Sequence, residues 1–142
     1  MQRVRSVYSH SETVRMTNTD AAGVLYFAEV FVLAHACYES FLHSGGLSLD
    51  AVINEGTVMF LVINAEAEFR APMRLGDEVT IELEILRIGK TSFTLGYSFV
   101  LPDGTGAASA KTTHVAVDHG TAKPVPLPPN ITRILTENLP VD

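Results

Sequence analysis

From about residue 57 onward, apolar and polar positions alternate with a period of two. Ile63, Ala65, Ala67 and Phe69 oppose Asn64, Glu66 and Glu68. Val79, Ile81, Leu83 and Ile85 oppose Glu78, Thr80, Glu82 and Glu84, and Phe93, Leu95, Tyr97, Phe99 and Leu101 oppose Ser92, Thr94, Gly96 and Ser98. A further strand is predicted from Gly106 to Asp118. Successive side chains of a strand point to opposite faces, so each run predicts a strand with one apolar face. Gly76-Asp77, Gly89-Lys90, Asp103-Gly104 and His119-Gly120 are turn signals. Short turns between long alternating strands imply antiparallel pairing.

The first third reads differently. Residues 25–43, LYFAEVFVLAHACYESFLH, contain neither Gly nor Pro, and Phe27, Val30, Phe31, Ala34, Tyr38, Phe41 and Leu42 recur at steps of three and four. This predicts one helix, apolar around most of its circumference and therefore buried. Ser44-Gly45-Gly46 predicts its end. A first strand is expected to end over residues 13–16, followed by the polar turn TNTDAAG at 17–23. A short amphipathic piece is expected over 47–54, and a helical turn or two over 131–138 after the prolines at 124, 126, 128 and 129. The expected fold is α+β: an antiparallel sheet of about five strands wrapped around one long central helix, a hot-dog architecture in a single domain over 1–142.

Composition narrows the function. The 142 residues carry 10 Lys+Arg against 16 Asp+Glu, a net charge of −6. An acidic chain without a basic cluster argues against a nucleic-acid partner. The one cysteine, Cys37, cannot form an intrachain disulfide and reads as a core residue. No stretch approaches the roughly 20 apolar residues of a membrane span, and the N-terminus lacks a signal-peptide core. The expectation is a cytoplasmic protein with no membrane partner.

The segment TNTDAAGVLYFAEVF, 17–31, resembles the D-x-x-G-x-x-[YF]-[FHP] signature of 4-hydroxybenzoyl-CoA-type thioesterases. AEAEFRAPMRLGDEVTIELEI (65–85), GKTSFTLGYSF (89–99) and ASAKTTHVAVD (108–118) resemble the family's later blocks, in order. AHACYESFLHSGGL (34–47) is similar to a branch of that family, the cyanobacterial-type 1,4-dihydroxy-2-naphthoyl-CoA hydrolases of phylloquinone biosynthesis. The resemblance covers about residues 8–130. It departs at Asn64, where many relatives carry His.

The resemblance implies hydrolysis of an aromatic acyl-CoA, with no cofactor and no metal. It makes Asp20 the carboxylate that attacks the thioester carbonyl or activates a water. By itself, an Asp before a helix is equally a capping or turn residue. The backbone N–H of Phe27 would polarise the carbonyl from a helix N-terminus, with Gly23 allowing close approach. Substrate contacts would come from Tyr26, His35, Asn64, Lys90, Thr91 and Ser92. Arg70, Arg74 and Arg87 are further candidates for CoA phosphate. The partners implied are an acyl-CoA substrate and identical protomers, as a homodimer or homotetramer with shared active sites.

In an ideal helix His35 lies about 12 Å along the axis from Phe27 and about 80° around it. His35 could then line the acyl cavity and bond a ring hydroxyl. The competing reading is a structural bond to Glu39. His35, Glu39 and His43 also share a helical stripe that could hold a metal ion. A thioesterase for short or medium aliphatic acyl-CoA stays open as an alternative, as does a non-catalytic acyl-CoA or acyl-carrier binding module. Asp20 argues against the module, since a binder has no need of that carboxylate.

Overall fold

The computed structural model describes residues 6–48 and 56–140. The elements in chain order are β1 (Tyr8–Thr13), a 3-10 turn (Met16–Asn18), α1 (Glu29–Ser44), β2 (Val58–Phe69), β3 (Glu78–Ile88), β4 (Ser92–Val100), β5 (Gly106–Asp118) and α2 (Pro129–Glu137). One sheet has the order β1-β3-β4-β5-β2, with every neighbouring pair antiparallel. The two helices and this sheet are the expected α+β, hot-dog arrangement. Most of the amphipathic piece expected over 47–54 lies outside the described residues.

The alternation of β3, β4 and β5 becomes one buried face. Val79, Ile81, Leu83, Phe93, Leu95 and Phe99 are fully buried, and α1 sets Val30, Leu33, Ala34, Cys37, Tyr38, Phe41 and Leu42 against them. Burying a side chain of this size is worth about 1.5–3 kcal/mol, so this face is the main stabilising term. Burial pushes the Cys37 thiol up to about 12, which leaves it an inert core group. At the end of α1, a Cβ on Gly45 would stand 2.9 Å from Ile134, so the glycine lets α2 close against the helix.

Two boundaries differ from expectation. The first strand ends at Thr13, and Met16 belongs to the 3-10 turn. The helix starts at Glu29 rather than Leu25. The Leu25 N–H donates to the Met73 carbonyl (2.7 Å) and the Tyr26 N–H to the Asn18 carbonyl (2.9 Å). Leu25 is also paired with Thr19 as an isolated bridge, an extended pairing that the helical ladder cannot include.

β2 is the larger correction. A bulge between Val62 and Asn64 breaks its register with β5, and α1 packs chiefly over β1, β3 and β5. Several apolar residues of β2 are therefore not covered: Ile63 is 62% exposed and Phe69 47%.

Candidate active site

The segment between β1 and α1 is a closed loop. Thr19 and Leu25 form an isolated bridge at its neck. Inside it, the Asp20 N–H donates to the Val24 carbonyl (2.9 Å) and the Gly23 N–H to the Asp20 carbonyl (3.1 Å). Asp20 Oδ1 accepts from the N–H groups of Ala22 (2.9 Å) and Val24 (3.2 Å). The turn role of an Asp is thus real, and one oxygen fulfils it. Oδ2 has no partner among the described residues, and the side chain is exposed. Gly23 has φ 76°, the left-handed region that favours glycine, and nothing lies within 4 Å of where its Cβ would be. Backbone conformation, rather than crowding within the protomer, calls for glycine here.

The loop rests on the β2–β3 connection. Leu75 N–H donates to the Gly23 carbonyl (2.9 Å), and Val24 bridges Arg74. Between the two segments lies a cleft of about 340 Å³, lined by Val24, Leu25, Phe27, Phe69, Arg70 and Met73 among others. At its edge the Phe27 N–H, just before the helix, stands unpaired among the described residues. Glu29 donates to the Tyr26 carbonyl (2.8 Å) and Val30 to that of Phe27 (3.3 Å), but the Phe27 N–H has no acceptor among the described residues. The Phe27 side chain is 62% exposed and stacks at a tilt on Tyr26, 4.7 Å between ring centroids. A free carboxylate oxygen on the loop and a free N–H at Phe27 just beyond it are the two functions that acyl transfer requires.

Two residues that the sequence did not single out hold this loop. Asn18 is buried, its Oδ1 accepts from the Arg15 N–H (2.9 Å), and its Nδ2 donates to Glu29 Oε1 (3.1 Å). Glu29, in the first turn of α1, thereby ties the helix to the loop. The visible signal was a second polar side chain two residues before Asp20 in TNTD.

The remaining candidates are dispersed. Arg70 lines the cleft and pairs with Glu68 (3.0 Å) and Ser109 (3.3 Å). Arg74 gives its backbone N–H to Asp77 Oδ2 (2.8 Å). Asn64 is opposite Thr113, whose hydroxyl bonds that of Thr94, so Asn64 sits on the sheet face turned away from α1. Lys90, Thr91 and Ser92 form the β3–β4 hairpin, tied down by Ala116 N–H to the Thr91 carbonyl (2.8 Å), Leu127 N–H to the Lys90 carbonyl (2.9 Å), and Arg87 to Ser92 Oγ (3.2 Å). The Asp20 loop adjoins the start of β3, and the hairpin follows its end. The 11 residues of β3 span about 35 Å. One protomer therefore does not bring Lys90, Thr91 and Ser92 to Asp20.

His35 departs from its ideal-helix placement, because Phe27 lies outside α1. It is exposed in the protomer and has no bond to Glu39 or to any other described residue. It stands at the rim of a buried polar cluster, its ring 6.1 Å from Tyr38 and 6.2 Å from His114. No group of three or more His, Cys, Asp or Glu among the described residues is placed to hold a metal ion. No described helix is long and apolar enough to cross a membrane.

Comparison with known proteins adds the relationship. The family model described as thioesterase-like superfamily matches residues 14–135. The chain belongs to the thioesterase-like superfamily. Within that superfamily it is 35% identical over 133 residues to a 1,4-dihydroxy-2-naphthoyl-CoA hydrolase of Rippkaea orientalis, covering 91% of this chain and 96% of the relative. It is 33% identical to the corresponding hydrolase of Nostoc punctiforme, covering 92% and 88%. A solved 1,4-dihydroxy-2-naphthoyl-CoA thioesterase from Synechocystis superposes with a TM-score of 0.87 at 29% identity, over 92% of this chain and 96% of that one. The family model's match takes in the Asp20 loop, α1, the strands β2 to β5 and most of α2.

Proposed function

We propose that this protein hydrolyses an aromatic acyl-CoA, 1,4-dihydroxy-2-naphthoyl-CoA, to the free acid and CoA, in the cytoplasm and as a step of phylloquinone biosynthesis. The observation that carries the proposal is the closed loop at 19–25. It spends one Asp20 oxygen on its own turn and leaves the other free, beside a helix start whose Phe27 N–H has no acceptor. The thioester carbonyl accepts a hydrogen bond from that N–H, which strengthens as the oxygen gains charge. Either the Asp20 carboxylate attacks the carbonyl carbon, the CoA thiolate leaves and water hydrolyses the resulting acyl-aspartyl anhydride to the free acid, or Asp20 takes a proton from an attacking water and passes it to the departing CoA thiolate. Tyr26 and His35 contact the acyl group, and no cofactor takes part.

The site is shared between two copies. β2 is an edge strand with exposed Leu61, Val62 and Ile63, and such an edge is a template for pairing. The 89–92 hairpin lies beside the Val58 end of β2, through β5, and the Asp20 loop beside its Phe69 end. Antiparallel pairing of two β2 strands about a two-fold axis sets one copy's Val58 end against the other's Phe69 end. That brings Asn64, Lys90, Thr91 and Ser92 of one copy toward Asp20 of the other, where Arg70 and Arg74 add positive charge for the CoA phosphates. Two such dimers form the homotetramer.

The test is Asp20→Asn. The amide oxygen still accepts the bonds from Ala22 and Val24 while the base is lost. The expected result is a fall in kcat of at least about a hundredfold with a small change in KM. Near-wild-type kcat, read by thiol release, would remove Asp20 from the reaction.

A further inference from the structure

The uncovered edge of the sheet is not uniformly apolar. On α1, Val32 and His35 face outward from the core, Val32 51% exposed. On β2, the register places Phe60 and Val62 opposite Ala116 and His114. Val62 is 41% exposed, whereas His114 is 1% exposed.

A buried histidine at an inward position of β5 is out of place in an apolar core, and its surroundings are organised around it. The His114 ring stacks on Phe93 at 4.9 Å and 10°, and Tyr38 packs at 4.5 Å on it. Its Nε2 bonds Thr112 Oγ1 (2.8 Å), which in turn bonds the Tyr97 hydroxyl (3.0 Å). That chain uses one ring nitrogen and fixes the ring. Nδ1 has no hydrogen-bond partner among the described residues. Neither has the Tyr38 hydroxyl, which is buried. Burial, and secondarily His35, lowers the His114 pKa to about 4, so the ring is neutral at physiological pH.

We propose that His114 is a specificity-determining residue, which together with His35 binds a hydroxyl on the aromatic acyl ring. The inference rests on the aryl-CoA reading above and adds a second recognition residue to it. The two imidazoles meet edge-on with centroids 6.2 Å apart. One oxygen bonded to a nitrogen of each at about 2.8 Å spans a gap of this size. Whichever way the Tyr97–Thr112–His114 chain is polarised, Nδ1 is left with either an N–H or a lone pair. A hydroxyl is donor and acceptor and satisfies both. An acyl ring without the hydroxyl leaves this nitrogen unpaired, which is how a site rejects the analogue that lacks a polar group.

The experiment compares kcat/KM for 1,4-dihydroxy-2-naphthoyl-CoA and for 2-naphthoyl-CoA, in wild type and in His114→Phe, His114→Gln and Thr112→Val. The wild type is expected to favour the hydroxylated substrate. His114→Phe is expected to lose at least about tenfold on it and under about threefold on the other. His114→Gln, which keeps hydrogen-bonding capacity, restores most of the loss. Thr112→Val moves the same ratio in the same direction by less, and it decides the matter if His114→Phe does not fold. Equal losses on both substrates, or none, would make His114 a packing residue only and overturn the inference. A wild type that hydrolyses both naphthoyl substrates equally overturns this inference and leaves the thioesterase reading standing. A wild type that hydrolyses hexanoyl-CoA and neither naphthoyl substrate overturns the aryl-CoA reading and the inference with it.

Discussion

β2 and β4 carry similar apolar alternation, yet they end in opposite environments. β4 buries Phe93, Leu95, Tyr97 and Phe99 to 2% exposure or less, while β2 leaves Leu61, Val62, Ile63 and Phe69 at 41–62%. The difference is not composition. β4 lies between two strands under the helix layer, and β2 sits at the sheet edge with a bulge beyond α1's main contacts. A pattern of apolar residues specifies that a face will be buried; only topology decides whether the same chain or a second one buries it. The candidate chemistry lies at the Asp20 loop and at the His35–His114 pair.

The sharpest way to break this contrast is to cut a side chain in each region. Phe99→Ala is expected to destabilise the protomer by about 3–5 kcal/mol, measured by chemical denaturation. A loss below about 1 kcal/mol would show that β4 is not the core. The next effect separates the buried polar cluster from the rest of that core. His114 has its pKa lowered from 6.5 to about 4. The unfolded chain therefore binds the proton first as pH falls. The stability due to neutral burial is present above about pH 6.5 and is lost as pH falls toward 4, by on the order of 3 kcal/mol. His114→Gln should remove this part of the pH dependence; unchanged pH profiles in denaturation would place His114 in contact with water. The smallest effect on the protomer is expected at the edge. Ile63→Asp should change protomer stability by about 0.5 kcal/mol or less. It should nevertheless convert the oligomer to a 15.4 kDa species in light scattering, with loss of hydrolysis. An Ile63→Asp protein that keeps its size and activity would remove β2 from the interface.

Much of the fold was legible because the strands obey a period of two and their turns are marked by glycine. β5 was expected at Gly106–Asp118 and is found there. The start of α1 was misread because Leu25 and Tyr26 fit helical spacing, while their N–H groups are taken by Met73 and Asn18, contacts that no local pattern encodes. The candidate site was legible only in part. Asp20 and Phe27 stand on one continuous motif, so the motif alone named them as candidates. Asn18 and Glu29 join across 11 positions, and Tyr38 meets His114 across a helix and a strand. His114 did leave a trace, a titratable side chain at an inward position of the β5 alternation between Thr112 and Ala116, which apolar pattern-matching passes over.

The most direct test of the central claim is thiol release by the wild-type protein from 1,4-dihydroxy-2-naphthoyl-CoA, benzoyl-CoA and hexanoyl-CoA at matched concentrations. The expected result is turnover with kcat/KM highest for the dihydroxynaphthoyl thioester, by at least about tenfold over hexanoyl-CoA. Preference for hexanoyl-CoA would contradict the aromatic substrate. Binding of all three without thiol release would contradict the enzyme itself and leave an acyl-CoA binding module on this fold.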